Sequence, residues 1–294
     1  MMNKKFLLFF VSFVSQLFFQ NNIKAQNNNS QSSILWKVSG NNLSKPSYLF
    51  GTIHMICNND YFFTNTMQSA FDETEKLVLE INLADINTIM QYQQAMMLPA
   101  DKKLKDFFET DKSYDKFSKR LKKQVDLDVD NFQTLKPIVL LSLISQKGFK
   151  CDKTSSYEMN LVDMSKKKEK EIAGLETTIS QLKIFDDMSN HDIEGILNSS
   201  LEDMEKDNKI QEQMISYYKA QDIENLYRLI IESKEFKNHE DASINDRNKN
   251  WSELLPEMMN EKSCFIAVGA GHLGGEKGLI QLLRNKGYTV EMVK

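Results

Sequence analysis

The runs Leu35-Trp36-Lys37-Val38-Ser39 and Ser47-Tyr48-Leu49-Phe50 have the short length and apolar content of strands, and a turn-forming Gly40-Asn41-Asn42 stands between them. They predict a β-hairpin. A helical-looking segment over about 67–75 precedes Lys76-Leu77-Val78-Leu79-Glu80-Ile81, whose aliphatic run predicts a buried strand after a crossover helix. From about 87 to 260 Gly and Pro are scarce and apolar residues recur at helical spacing, as in Ile138, Leu141 and Ile144 after Pro137, or Leu226, Leu229 and Ile230. Ser263–Val268 predicts a second buried strand, Gly278–Lys286 a helix closed by Gly287, and Tyr288–Met292 a last strand. Strands near both ends around a helical middle predict an α/β (α+β-like) fold, with a central sheet built from both ends of the chain.

Ahead of this pattern, Lys4 and Lys5 lead into the apolar run 6–19 (FLLFFVSFVSQLFF), then polar Gln20-Asn21-Asn22 and a small residue, Ala25. That is the layout of a secretory signal peptide, and the run is shorter than the roughly 20 residues a spanning helix needs. Residues 1–25 are read as a signal peptide, 26–33 (QNNNSQSS) as a disordered spacer, and 34–294 as one domain with a helical insertion over about 87–260. The expectation is an exported chain, periplasmic or secreted, with no stable membrane insertion once the signal is removed.

Composition adds two constraints. With 41% hydrophobic and 10% aromatic residues and only 4 Pro, the chain can bury a core. Its 37 Lys+Arg against 41 Asp+Glu give a net charge of −4, which excludes a strongly basic nucleic-acid binder, so no nucleic-acid partner is expected. Three Cys in an oxidising compartment allow at most one disulfide within the chain; Cys264 sits in an apolar run, whereas Cys57 and Cys151 lie in polar stretches whose pairing the sequence leaves open.

Of four His, two follow a Gly by three positions at the end of a strand-like run, in Leu49-Phe50-Gly51-Thr52-Ile53-His54 and Ala267-Val268-Gly269-Ala270-Gly271-His272. Gly permits a sharp turn at a strand end, where open α/β sheets bind ligands, so two pseudo-symmetric Gly-x-x-His halves would aim two imidazoles into one crevice. Glu80 is an acid inside an apolar strand, costly unless it meets a cation or donor, or lies on an edge facing water. Two imidazoles and a carboxylate are a common first shell for a catalytic divalent metal, which makes His54, Glu80 and His272 the candidate ligands. Glu176, in Gly174-Leu175-Glu176-Thr177 at the start of a helical stretch, is a candidate general base or further ligand. Arg247 and Asn248, one turn before Trp251, suit the clamping of a carboxylate or carbonyl. A His54-x-x-Cys57 metal pair is ranked lower, because an exported thiol tends to oxidise. His191 and His239 sit in polar helical stretches and read as surface residues. Neither a G-x-S-x-G elbow, a Walker loop nor H-E-x-x-H occurs, so serine-hydrolase, P-loop and ordinary zincin readings have no support.

Together these stretches resemble the TraB/GumN family: WKVSG…SYLFGTIHMI, LVLEINL, GLETTISQ, RNKNW and VGAGHLGGEKGLIQLLRNKGYTV. The resemblance implies an α/β fold related to the erythromycin-esterase and ChaN-like groups, with both Gly-x-x-His turns and an acidic residue forming the site. Its Tiki branch implies divalent-metal-dependent proteolysis of a peptide or protein substrate. The expectation is therefore an exported metal-dependent hydrolase, a peptidase, using Mn, Co, Zn or Fe, with His54, Glu80 and His272 on the metal and Glu176, Arg247 and Asn248 catalytic. Two alternatives stand beside it: a metal-independent esterase-like hydrolase, and a non-catalytic regulator that binds a peptide or haem.

Overall fold

The structure, a computed structural model, describes residues 32–149, 151–186, 188–202, 204–232 and 241–294. The expected signal peptide, most of the spacer and His239 lie outside the described residues. Ser32 and Ser33 are bonded into the domain: the Ser32 hydroxyl donates to Gln221 O (2.7 Å) and that of Ser33 to Val293 O (2.7 Å).

Strands β1 (Leu35–Ser39) and β2 (Ser47–Thr52) form the expected hairpin, with Trp36 opposite Leu49 and Lys37 opposite Tyr48. The turn works because Gly40, Asn41 and Asn42 all take positive φ (79°, 48° and 63°), a region that Gly and Asn tolerate best. The central sheet has the order β6-β4-β7-β2-β1-β8, where β4 is Lys76–Leu79, β6 Glu171–Gly174, β7 Cys264–Gly269 and β8 Thr289–Met292. β6, β4, β7 and β2 run parallel, and β1 and β8 complete the sheet with antiparallel pairings. β2, β4 and β7 are buried along their whole length, which explains their unbroken apolar runs in place of an alternating pattern. β4 is an interior strand, so the edge-strand explanation for Glu80 fails.

Helix α1 (Asn65–Asp72), capped by the Thr64 hydroxyl on Met67 N (3.2 Å), carries the chain from β2 to β4. The middle of the chain holds α2 (Ile86–Ala95), α3 (Asp111–Val125), α4 (Pro137–Gly148), α5 (Tyr157–Lys167), α6 (Thr178–Asp186), α7 (Asn190–Glu202), α8 (Met204–Lys219) and α9 (Ile223–Ile231). It also supplies β6, so this region contributes one strand to the sheet. A π-helical turn, Asp241–Asn245, leads into α10 (Asp246–Glu261), whose inner face carries Arg247, Asn248, Trp251, Leu255 and Met259. Last, α11 (Leu279–Asn285) precedes β8.

A two-stranded sheet pairs β3 (Ile56–Cys57) with β5 (Thr154–Ser155), and Cys57 and Cys151 form a disulfide with Cα atoms 6.0 Å apart. The pairing left open by the sequence is thereby settled, and Cys57 is removed from any metal site. Cys264 is free and buried. The bridge closes a sequence separation of 94 residues, a long loop whose closure restricts the unfolded chain strongly. Replacing Cys57 and Cys151 together by Ser is expected to lower stability by about 2–5 kcal/mol, read from urea denaturation against the oxidised parent.

Candidate functional site

Because β2, β4, β6 and β7 are parallel, their C-terminal ends share one edge of the sheet, and the chain leaving each strand delivers one polar side chain there. His54 follows β2, Glu80 follows β4, Glu176 follows β6 and His272 follows β7; His54, Glu80 and His272 are 7%, 8% and 3% exposed. The two Gly-x-x-His turns touch. A Cβ on Gly51 would lie 2.9 Å from Leu273 Cδ1 and 3.1 Å from Ala270 Cα, so the missing side chain is what permits the approach. A Cβ on Gly269 would lie 3.4 Å from Glu80 Oε1, 3.5 Å from His54 Nε2 and 3.6 Å from His272 Cδ2, which marks the point on which the three side chains converge.

Each imidazole is oriented from behind. His54 Nδ1 lies 2.8 Å from Glu158 Oε1, and Glu158 is itself held by the hydroxyls of Thr52 (2.7 Å) and Ser156 (2.9 Å). His272 Nδ1 lies 2.7 Å from Asn248 Oδ1, while Asn248 Nδ2 donates to the carbonyls of His272 (3.2 Å) and Lys277 (2.9 Å). Those two donations make Oδ1 the acceptor, so His272 carries its proton on Nδ1 and presents Nε2 as a lone pair. Carboxylate Glu158 sets the same tautomer on His54. Asn248, expected from the sequence to help clamp a substrate, thus faces His272 and the following turn.

Glu80 is the hub. Its Oε1 accepts the Gly269 N–H (2.8 Å), and its Oε2 accepts from Gln181 Nε2 (3.2 Å) and from Arg247 Nη2. Arg247 also donates to Glu176 through Nε (3.1 Å to Oε1) and to His272 Nε2 through Nη1 (3.2 Å), and its guanidinium stacks 4.6 Å from the Trp251 ring. Trp251 packs on His272 as well, ring centroids 4.5 Å apart. The structure therefore brings together all six candidate residues, His54, Glu80, Glu176, Arg247, Asn248 and His272. It adds two that sequence reasoning missed: Glu158, whose place in a first helical turn carries no signal of burial, and Gln181, present in the sequence only as the last residue of GLETTISQ. His191 is exposed and pairs with Glu109 (2.7 Å), as expected of a surface residue.

Burial dominates the titration behaviour, and charged neighbours decide the outcome. Burial pushes the Glu80 carboxyl up, yet Arg247, then His272 and His54, together hold it well below the usual carboxylate range. Burial also raises Glu176, and Arg247 does not fully offset this, so its pKa stands above the ordinary value. Burial lowers His54, but the Glu158 carboxylate more than reverses it. For His272 burial, then the Arg247 charge, outweigh the opposing pull of Glu80 and press it down to about 3.

The donor chemistry fits a divalent metal, with two imidazoles whose Nδ1–H groups are engaged behind them and a carboxylate converging on Gly269. In this arrangement Arg247 spans Glu80 and His272, and among the described residues no three or more His, Cys, Asp or Glu side chains stand in a ligating cluster.

These shifts make a signed prediction. A depressed His272 pKa contributes stability above the unfolded-state value near 6.5, and that contribution is lost as pH falls toward about 3. His54, with a raised pKa, acts oppositely: its contribution is present below 6.5 and lost as pH rises through its folded value. In urea denaturation from pH 6.5 down to 4, the parent is expected to lose about 2–3 kcal/mol more than His272→Asn.

The sequence pattern of the TraB/PrgY/gumN family matches residues 34–292. The chain is 22% identical over 320 residues to a metalloprotease TIKI homolog of Nematostella vectensis, covering 89% of this chain and 67% of that protein. It is 25% identical to a metalloprotease TIKI homolog of Amphimedon queenslandica (90% and 62% covered) and 21% identical to metalloprotease TIKI1 of Homo sapiens (88% and 61%). The chain thus spans about two thirds or less of the length of these relatives. No solved structure matches it. With both Gly-x-x-His turns, Glu80, Glu176 and Arg247 inside a match over nearly all the described residues, the chain belongs to the TraB/PrgY/gumN family.

Proposed function

We propose that this protein is an exported, metal-dependent hydrolase acting on peptide bonds, with His54, Glu80 and His272 as metal ligands. The observation that carries the reading is the convergence of His54 Nε2, the His272 ring and Glu80 Oε1 on Gly269, with the opposite nitrogen of each ring occupied by Glu158 or Asn248. Metal-ligating histidines characteristically give their second N–H to such an acceptor. The names of the relatives, metalloprotease TIKI and its homologs, support the same chemistry. A leader at 1–25 and a domain starting near 34 belong to this proposal. Among the described residues no helix is long and apolar enough to cross a membrane.

The chemistry such an ion supplies is Lewis acidity toward a carbonyl and a lowered pKa for water. The chain's own residues do the rest. Glu176, with its raised pKa, takes the proton from the attacking water and returns it to the leaving amine. Arg247, held between Glu80 and Glu176, is the cation nearest the site and would stabilise the developing oxyanion. Asn248 and Glu158 are positioning residues, each fixing one imidazole. Ile86 and Met90 on α2 and Ile179 on α6 are exposed on two packed helices that begin soon after Glu80 and Glu176, which suits a substrate with apolar side chains.

One observation favours a second reading. Arg247 already donates to both Glu80 and His272, so a metal-free hydrolase can be drawn with His54, oriented by Glu158, as general base on an ester. Metal analysis separates the two. Inductively coupled plasma mass spectrometry on the purified domain is expected to find near-stoichiometric Mn, Co, Zn or Fe in the parent and its loss in His54→Ala/His272→Ala. Hydrolysis that survives prolonged chelation, with no metal in either protein after reconstitution, gives the second reading.

A further inference from the structure

The three side chains that converge on Gly269 are not equally ready to take a further partner. Among the described residues no hydrogen bond reaches His54 Nε2, and Glu80 Oε1 accepts the Gly269 N–H alone, which leaves that oxygen spare acceptor capacity. His272 Nε2 is already taken. It lies 3.2 Å from Arg247 Nη1 and, with the ring proton on Nδ1 toward Asn248, it can only accept there. An imidazole nitrogen of this kind has one lone pair in the ring plane. That pair accepts an N–H from Arg247 or binds a metal ion, and cannot do both.

Charge holds Arg247 in this position. Its guanidinium is buried, with the residue 9% exposed, between the carboxylates of Glu80 and Glu176. A guanidinium keeps its proton throughout the pH range in which proteins fold, so Arg247 cannot yield its place by becoming neutral. Another cation can displace it, because the buried charge of Glu80 then still meets a counter-ion. The rest of the grip on Arg247 does not involve His272. Nε and Nη2 both donate to Glu176, and the guanidinium carbon lies 4.6 Å from the centre of the Trp251 ring. Arg247 can therefore leave the imidazole while staying attached to Glu176.

We propose that Arg247 is an internal cation that caps His272 Nε2 until a divalent metal replaces it there, and that metal loading turns the Nη1 end of the guanidinium off the imidazole while Glu176 retains the Nε end. Resting on the metal-dependent reading above, this cap also sets an order of assembly. The Nη1–H that meets His272 becomes a donor for a substrate carbonyl only after the ion has entered, so an unloaded site lacks both the metal and this donor.

The test is a Zn2+ titration of the full exported chain followed by NMR of its arginine and histidine side chains, of which the sequence has four each. At saturation the ring signals of His54 and His272 are expected to shift, the Arg247 Nη1 signal to leave its starting position, and the Arg247 Nε signal to hold. Arg247→Lys keeps the charge, but one ammonium cannot reproduce the fork that reaches Glu176, Glu80 and His272 together. This variant is expected to bind Zn2+ at least about fivefold more tightly than the parent, read by competition with a chromophoric chelator. Ring signals that shift while Arg247 Nη1 stays, or an affinity in Arg247→Lys no tighter than the parent's, would overturn the cap and leave the metal site standing. Unmoved ring signals with no Zn2+ bound by either protein would remove the metal reading and the cap together. If Arg247→Lys fails to fold, the Nη1 and Nε signals of the parent decide alone.

Discussion

A carboxylate and a guanidinium buried at the end of a parallel sheet are the constraint on which this site depends. Taken singly, either charge would be too costly to bury, and the pair holds only because each has several partners. Glu80 accepts the Gly269 N–H on one oxygen and Arg247 and Gln181 on the other, so one side chain ties the ends of β4 and β7 to α6 and α10. Arg247 extends the link to Glu176 and His272. The strand ends are thus locked together by charge where the apolar packing of β2, β4 and β7 stops. An acid at the end of an otherwise aliphatic strand is the visible trace of that requirement in the sequence.

The two Gly-x-x-His turns look equivalent along the chain but are electrically different in the fold. His54 backs onto a carboxylate, Glu158, and is drawn toward the cationic form. His272 backs onto a neutral amide and faces Arg247, so it stays neutral. Backbone pseudo-symmetry therefore delivers two rings to one point, and their partners give them opposite proton affinities.

Much of this arrangement was readable from local signals. The Gly-x-x-His spacing exposed His54 and His272, the charge within LVLEI exposed Glu80, and the Arg-Asn-x-x-Trp turn exposed Arg247 and Asn248. What escaped depends on contacts far apart in sequence. Glu158 meets His54 across 104 residues from an ordinary-looking first helical turn, and acids are common at helix starts for dipole reasons alone. Asn248 was found, but its direction toward His272 follows from how α10 packs under the final Gly-x-x-His turn. The Cys57–Cys151 pairing, left open by the sequence, is decided by tertiary closure. The polar stretch SYEMN, which carries Glu158, gave no hint of that role.

The central claim, that the Glu80 charge holds the site together, is tested most directly by the unfolding free energy of Glu80→Gln, an isosteric change that removes charge and little else. Removing the Glu80 charge takes one of two carboxylates from the buried Arg247, leaving Glu176, and weakens the acceptor of the Gly269 and Gln181 donors, so a loss of about 3 kcal/mol is expected in urea denaturation at neutral pH. A variant within about 1 kcal/mol of the parent would contradict the account, because Arg247 would then be shown to be satisfied without Glu80.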